Sequence, residues 1–180
     1  MYNANKITMN QTTTEKPNVI IELAPYLHDF LYHEFGCNKK KEDGVIINVS
    51  NDIGIIIQSM VEFSNIPKQQ EIKDNPIKIY LPVQEWNHFL YKRNFLYVPV
   101  WKQRMIQDYI ESLFRLRIRE YFQTGYDKGF KQEQIIQAFL TSYNIKQNAL
   151  NYDAIKKYDY RNRKKIKEEV NREIQLADCL

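Results

Sequence analysis

The chain's densest concentration of reactive side-chain types lies in NYDAIKKYDYRNRKK, residues 151–165, which hold three tyrosines and six Lys or Arg against two acids. Within residues 156–167 the imbalance is sharper, because Lys156, Lys157, Arg161, Arg163, Lys164, Lys165 and Lys167 are accompanied only by Asp159. Cations at this density suit a polyanion. Phosphate oxygens attract Lys and Arg, whereas Arg and Asn can also bond base edges. Arg161 and Asn162 are therefore the first candidates for base contact, and Lys156, Lys157, Lys164 and Lys165 suit phosphate positioning. Tyr160, Arg163 and Lys167 complete a candidate nucleic-acid-binding set. A competing reading is a solvated helix face, since Lys164 with Glu168, Lys165 with Glu169 and Glu168 with Arg172 stand four residues apart and can satisfy one another on a helix. Those acids begin only after Lys167, so the basic block itself has little local compensation.

Other constellations are thinner. In FLYKRNFLYVPVWKQR, Phe89, Tyr91, Phe95, Tyr97 and Trp101 interleave with Lys92, Arg93, Lys102 and Arg104. Exposed aromatics beside cations can stack unpaired bases, but β-rich segments use the same aromatics as core, and core packing is the favoured reading. LHDFLYHEFGC places His28, Asp29, His33, Glu34 and Cys37 close together. His33 and Cys37 are four apart, yet Gly36 ends the helix between them and no further ligand pair follows at a zinc spacing, so no metal site is assigned. No phosphate-binding glycine loop, nucleophile elbow or HExxH motif occurs. The expectation is a non-enzymatic protein without a cofactor.

The basic segment needs a helix to display it. Spacing places Ala154, Ile155 and Tyr158 on an inward side continued by Ile166, Val170 and Ile174, which leaves the cations outward. Asn151 reads as the N-cap, with Leu150 and Ile155 as a hydrophobic staple. Before it, KQEQIIQAFLTSY forms a helix with Ile135, Ile136, Phe139, Leu140 and Tyr143 inward, and Phe130 stands where a staple to Ile135 would place it. The two helices are joined by NIKQNAL, longer than the ~3–4 residues of a tight helix-turn-helix. Upstream, Met105, Ile106, Tyr109, Ile110, Leu113, Phe114, Tyr121 and Phe122 make a broad apolar stripe broken at Thr124, Gly125 and Gly129. Leu116 and Ile118 widen it, which makes residues 105–122 a candidate surface for a second copy of the chain.

Residues 18–100 read as a smaller α+β unit. NVIIELAPYLHDFLYHEFG is a short apolar lead and then a helix from Pro25 to a stop at Gly36. GVIINVS is a short strand, and NDIGIIIQSMVEFS a buried helix opened by Ser50 or Asn51, with strand as the alternative across the β-branched Ile55 to Ile57. PIKIYLP alternates like a half-buried strand, and NFLYVPV is another β-rich run.

Composition sets the frame. At 180 residues, with 43% hydrophobic and 13% aromatic residues, the chain can bury a core. Residues 1–17 are polar and aperiodic and read as a disordered tail, with neither a secretory signal nor a membrane anchor, which points to a soluble cytoplasmic protein. Cys37 and Cys179 offer no disulfide framework. The net charge of +4 is unevenly spread, since Lys and Arg outnumber acids only after residue 99. The expected fold is α+β, mainly helical, with a small N-terminal sheet and a helix-turn-helix-like module over residues 101–180.

The stretch GFKQEQIIQAFLTSYNIKQNALNYDAIKKYDYRNRKK, residues 129–165, resembles small proteins encoded by phages and mobile elements of gut bacteria, in which a helix ending in a YNI-like turn precedes a Tyr/Arg/Lys-rich helix. It also resembles helix-turn-helix modules, apart from its long connector and the lack of a glycine there. The basic helix makes the expected function a non-enzymatic DNA-binding protein, a regulator or replication accessory factor of a phage or mobile element acting in the host cytoplasm. The rival expectation is a virion component or assembly factor that docks its basic helix on an acidic partner.

Overall fold

The computed structural model describes residues 16–37, 43–68 and 74–177, and bears out the α+β, mainly helical class. The tail expected over residues 1–17, apart from its last two positions, and Cys179 lie outside the described residues. The chain divides into two compact units, Met1–Ile110 and Glu111–Leu180.

The first unit begins with β1 (Asn18–Glu22), so the apolar lead before the first helix is a strand. It is followed by α1 (Pro25–Glu34), β2 (Val45–Ile46), α2 (Asp52–Met60), β3 (Glu62–Ser64), β4 (Pro76–Tyr80), α3 (Glu85–Arg93) and β5 (Phe95–Tyr97). Central β4 pairs antiparallel with β1 and parallel with β2. The register sets Val19 opposite Ile79 and Ile21 opposite Ile77, all four buried. Alternation then turns Lys78 and Tyr80 to the other face, where both bond the carboxylate of Asp43. A second ribbon pairs β3 with β5 antiparallel.

One expectation for this unit changes, and one segment without an expected element proves helical. The apolar run after Asn51 is a helix only as far as Met60; Glu62, Phe63 and Ser64 form a strand because β5 offers a backbone partner to this segment. The segment EWNHFLYKR, which lacks a clear periodic signal, is helical and buries only Asn87 and Tyr91. Asn51 does cap α2, its Oδ1 accepting the Ile53 N–H at 2.8 Å. Gly54 in α2 lies so close to the Asn48 carbonyl that a Cβ there would overlap its oxygen. Only a glycine permits that approach.

Helix α4 (Val100–Asp127) opens in the first unit, and the division between units falls inside it. It runs unbroken through Thr124 and Gly125, which read as breakers in the sequence; a Cβ on Gly125 would stand 2.5 Å from Cδ1 and Cγ1 of Ile135, so this glycine serves packing. Ile106, Ile110, Phe114, Ile118 and Phe122 are buried at four-residue spacing, whereas Met105 and Leu116 are exposed. Ile118 therefore belongs to the buried line, and the broad stripe expected over residues 105–122 leaves little apolar surface open.

The second unit comprises the C-terminal part of α4, then α5 (Gln132–Ser142) and α6 (Ala149–Ala177). Its core joins Phe114, Ile118 and Phe122 to Ile135, Ile136, Phe139, Leu140, Tyr143, Ile145 and Ile155. Phe139 meets Phe114 and Tyr121 edge-on and Tyr143 at a tilt. Helices α4 and α5 end the same way. Gly129 (φ 75°) and Asn144 (φ 50°) take the left-handed position after the last turn, and the next residue's N–H reaches back to the carbonyl of Gly125 or Leu140. Asn144 thus does the work of the glycine missing from the connector, and buried Ile145 seals the turn.

Candidate nucleic-acid interface

The surface of α6 is set by how the helix starts and by what holds its inner side. The start is at Ala149, two residues earlier than the expected cap at Asn151. Asn148 is the capping side chain, its Oδ1 accepting the Asn151 N–H at 2.8 Å, while the Asn151 amide donates to the Lys146 carbonyl. The staple expected between Leu150 and Ile155 loses its basis with that shift, because Leu150 now lies within the first turn. The connector shortens to six residues, 143–148.

Inside, the one acid of the basic block is the anchor. Asp159 is 0% exposed. The Tyr126 hydroxyl of α4 donates to it from 2.8 Å to either carboxylate oxygen. The Gln132 amide, in the first turn of α5, donates to Oδ2. Arg163, one turn along α6, donates to the same oxygen from Nε (3.1 Å) and Nη2 (2.7 Å). A buried carboxylate without such donors would be strongly destabilising, so its satisfaction by all three helices fixes the rotation of α6 about its axis. Burial, and then the hydrogen bond to Asp159, push the Tyr126 phenol up to about 12. The same carboxylate raises the pKa of Arg163. Ten residues further along α6, Glu169 pairs with Arg119 of α4 and provides a second fastening.

With that rotation fixed, the expected residues separate. Lys156, Lys157, Tyr160, Arg161, Lys164, Lys165 and Lys167 are exposed, Tyr160 most strongly at 83%. Lys164 reaches Glu168 at 3.8 Å across a fully solvated gap, a contact of little energetic weight. Lys167 leans over the Tyr126 ring, its Nζ 5.4 Å from the centroid. Arg163 is half-buried and held by Asp159. Asn162, the expected base reader, is half-buried too, and its amide donates to the Tyr158 carbonyl one turn back at 2.8 Å. Ala154, expected to face inward, is exposed, whereas Ile155 is buried and Tyr158 half-buried. The side chains of Ile166, Val170 and Ile174 lie outside the described residues.

The aromatic segment of the first unit divides between core and surface. Tyr91 is buried, and Tyr97 donates to Glu62, which also pairs with Lys102. Phe89 is exposed with the Arg93 guanidinium 4.0 Å from its ring centre, and Trp86 and Trp101 are exposed as well. In the His/Cys segment, His28 contacts the Asn75 carbonyl, and Cys37 Sγ accepts the Ile46 N–H at 3.4 Å. Among the described residues no three His, Cys, Asp or Glu side chains converge as metal ligands, and no helix is long and apolar enough to cross a membrane. What sequence reasoning missed is the Tyr126–Gln132–Asp159–Arg163 cluster. Its signal was a lone acid four residues before an arginine inside an otherwise cationic run.

No family model matches this chain, and neither does any curated protein or any solved structure.

Proposed function

We propose that this chain is a non-enzymatic DNA-binding protein, a regulator or replication accessory factor of a phage or mobile element, whose contact surface is the outward side of α6. One observation carries the reading. Seven outward positions between residues 156 and 167 are six cations and a tyrosine, all exposed, while the acid in the same stretch is turned wholly inward. A helix face of that composition, held in one orientation by its inner side, suits phosphate contact. The Tyr126–Asp159–Arg163 cluster acts by positioning that face.

The test is fluorescence anisotropy of the full chain on a random-sequence duplex between about 50 and 200 mM salt. Parent binding is expected to weaken steeply with salt. Replacing Lys156, Lys157, Lys164 and Lys165 by Ala is expected to weaken binding on every sequence. The slope of log K against log salt is expected to fall by ~0.9 for each phosphate no longer neutralised. If the quadruple variant binds as tightly as the parent at low salt, the reading fails.

The second reading is an adaptor or assembly protein, favoured by the outward side of α3, where Trp86, Phe89 and Leu90 are exposed on consecutive turns. A tight assembly by light scattering without affinity for DNA would select it.

A further inference from the structure

The choice between duplex and single strand rests on the DNA-binding reading above and is set by the shape of the face. An α-helix advances about 100° per residue, so with Lys156 at the origin Lys167 falls near 20°, Tyr160 near 40°, Lys164 near 80°, Lys157 near 100°, Arg161 near 140° and Lys165 near 180°. Ile155, Tyr158, Asp159, Asn162 and Glu169 all fall on the opposite half, in agreement with their burial or half-burial. The exposed half thus has two cationic edges, Lys156 with Lys167 and Arg161 with Lys165, pointing in nearly opposite directions. Between them Lys164 and Lys157 hold the centre of the face, and Tyr160 stands between that centre and the Lys156–Lys167 edge. Two exposed acids share the same half just beyond the ends of the cationic segment, Asp153 near 60° and Glu168 near 120°.

Two opposed edges are the wrong design for one phosphate chain, which follows a single side of a helix. They match a groove with a phosphate wall on each side. A helix with side chains is about 10–12 Å across and the major groove of B-DNA about 12 Å wide. Residues 156–167 span about 17 Å along the axis, enough for roughly five base pairs at ~3.4 Å each.

We propose that α6 lies in the major groove of duplex DNA, with Lys156 and Lys167 on one phosphate backbone, Arg161 and Lys165 on the other, Lys157 and Lys164 pointing to the groove floor, and Tyr160 reaching the base edges beside the first backbone. The Tyr160 ring offers apolar contact to a thymine methyl, and its hydroxyl both donates and accepts, which lets it discriminate between bases. Tyr160 takes over the reading role that Asn162 gives up by bonding to the Tyr158 carbonyl.

The experiment compares the parent with Lys156→Ala/Lys167→Ala and Arg161→Ala/Lys165→Ala on a duplex of about 20 base pairs and on an oligo-dT single strand, with far-UV circular dichroism to verify that each variant keeps its helix. On the duplex each edge variant is expected to lower the salt slope by a similar amount, about 1.8, and the single strand is expected to bind more weakly than the duplex. Loss confined to one edge, or tighter binding to the single strand, would overturn the groove placement while leaving DNA binding intact. Failure of the parent to bind either nucleic acid would overturn both readings. Selection from a randomised duplex pool is expected to return a base preference with the parent that Tyr160→Ala loses; an unchanged preference would remove Tyr160 from the reading role.

Discussion

Asp159 shows how one residue can invert its apparent meaning. In the sequence it is the only negative charge in a basic run and looks like a dilution of that run. In the structure it is the fixed point from which the run is displayed, because it draws Tyr126, Gln132 and Arg163 to one carboxylate. Asp159→Asn is expected to destabilise the protein by about 1–3 kcal/mol, measured by urea unfolding, since one amide oxygen replaces two carboxylate oxygens as acceptor for three donors while the partly solvated Arg163 can turn to water. Tyr126→Phe removes one donor and is expected to cost about 1–3 kcal/mol near neutral pH. The pH dependence of that cost has a definite sign. The Tyr126 phenol titrates near 10 in an unfolded chain and near 12 in the folded one, so its contribution is complete below pH ~10 and fades as pH rises through ~12. The gap between parent and Tyr126→Phe is therefore expected to narrow in that window; a gap constant up to pH ~12 would contradict it. Only the four-residue spacing to Arg163 was legible beforehand, because Gln132 and Tyr126 stand 27 and 33 residues away from Asp159 and only folding brings them together.

At the scale of elements, local signals were read well and tertiary ones poorly. Pro25, Asn51 and the alternation in PIKIYLP act through their immediate neighbours, and α1, α2 and β4 appear where those signals place them. The inward residues of α5 follow the same logic. Strand β3 and the unbroken course of α4 depend on partners distant in sequence. Gly125 illustrates the second kind, since a glycine inside a helix reads as a breaker until Ile135 is seen filling the space where its Cβ would be. Gly125→Ala would gain about 1 kcal/mol from helix propensity alone. The measured change is expected to go the other way, by about 1–3 kcal/mol of overpacking, and to be partly restored by adding Ile135→Val, which removes the Cδ1 methyl. Stabilisation by the single change would refute the packing account. The cationic side of α6 was legible because charge patterning needs only helical spacing. Its rotation was not, so Ala154, Asn162 and Arg163 were placed on the wrong side or left without their true partners.

For the molecule as a whole, the division into two units inside α4 leaves the first unit with balanced charge and places the whole net charge of +4 in the second. Two compact units imply that damage can stay local. Hydrogen exchange on Asp159→Asn is expected to show faster exchange in α5 and α6 with unchanged protection in β1 and β4. Equal acceleration throughout would mean that the units open as one. The whole-molecule charge, +4, says little about binding compared with where that charge sits.

The pairing of β1 with β4 has a consequence for the order of events when the full chain refolds. Roughly fifty residues separate Glu22 from its partner Pro76, whereas consecutive helices of the second unit are joined by short connectors, although α6 also returns to α4 over longer separations. Distant pairings form slowly because the entropy of closing a long loop is spent before the ladder can repay it, and local helical contacts form fast. The helical part that carries the cations is thus expected to mature ahead of the sheet that precedes it in the chain. Edges of unpaired β1 and β4 stay open during that delay, which makes them the window in which this protein is most prone to aggregate.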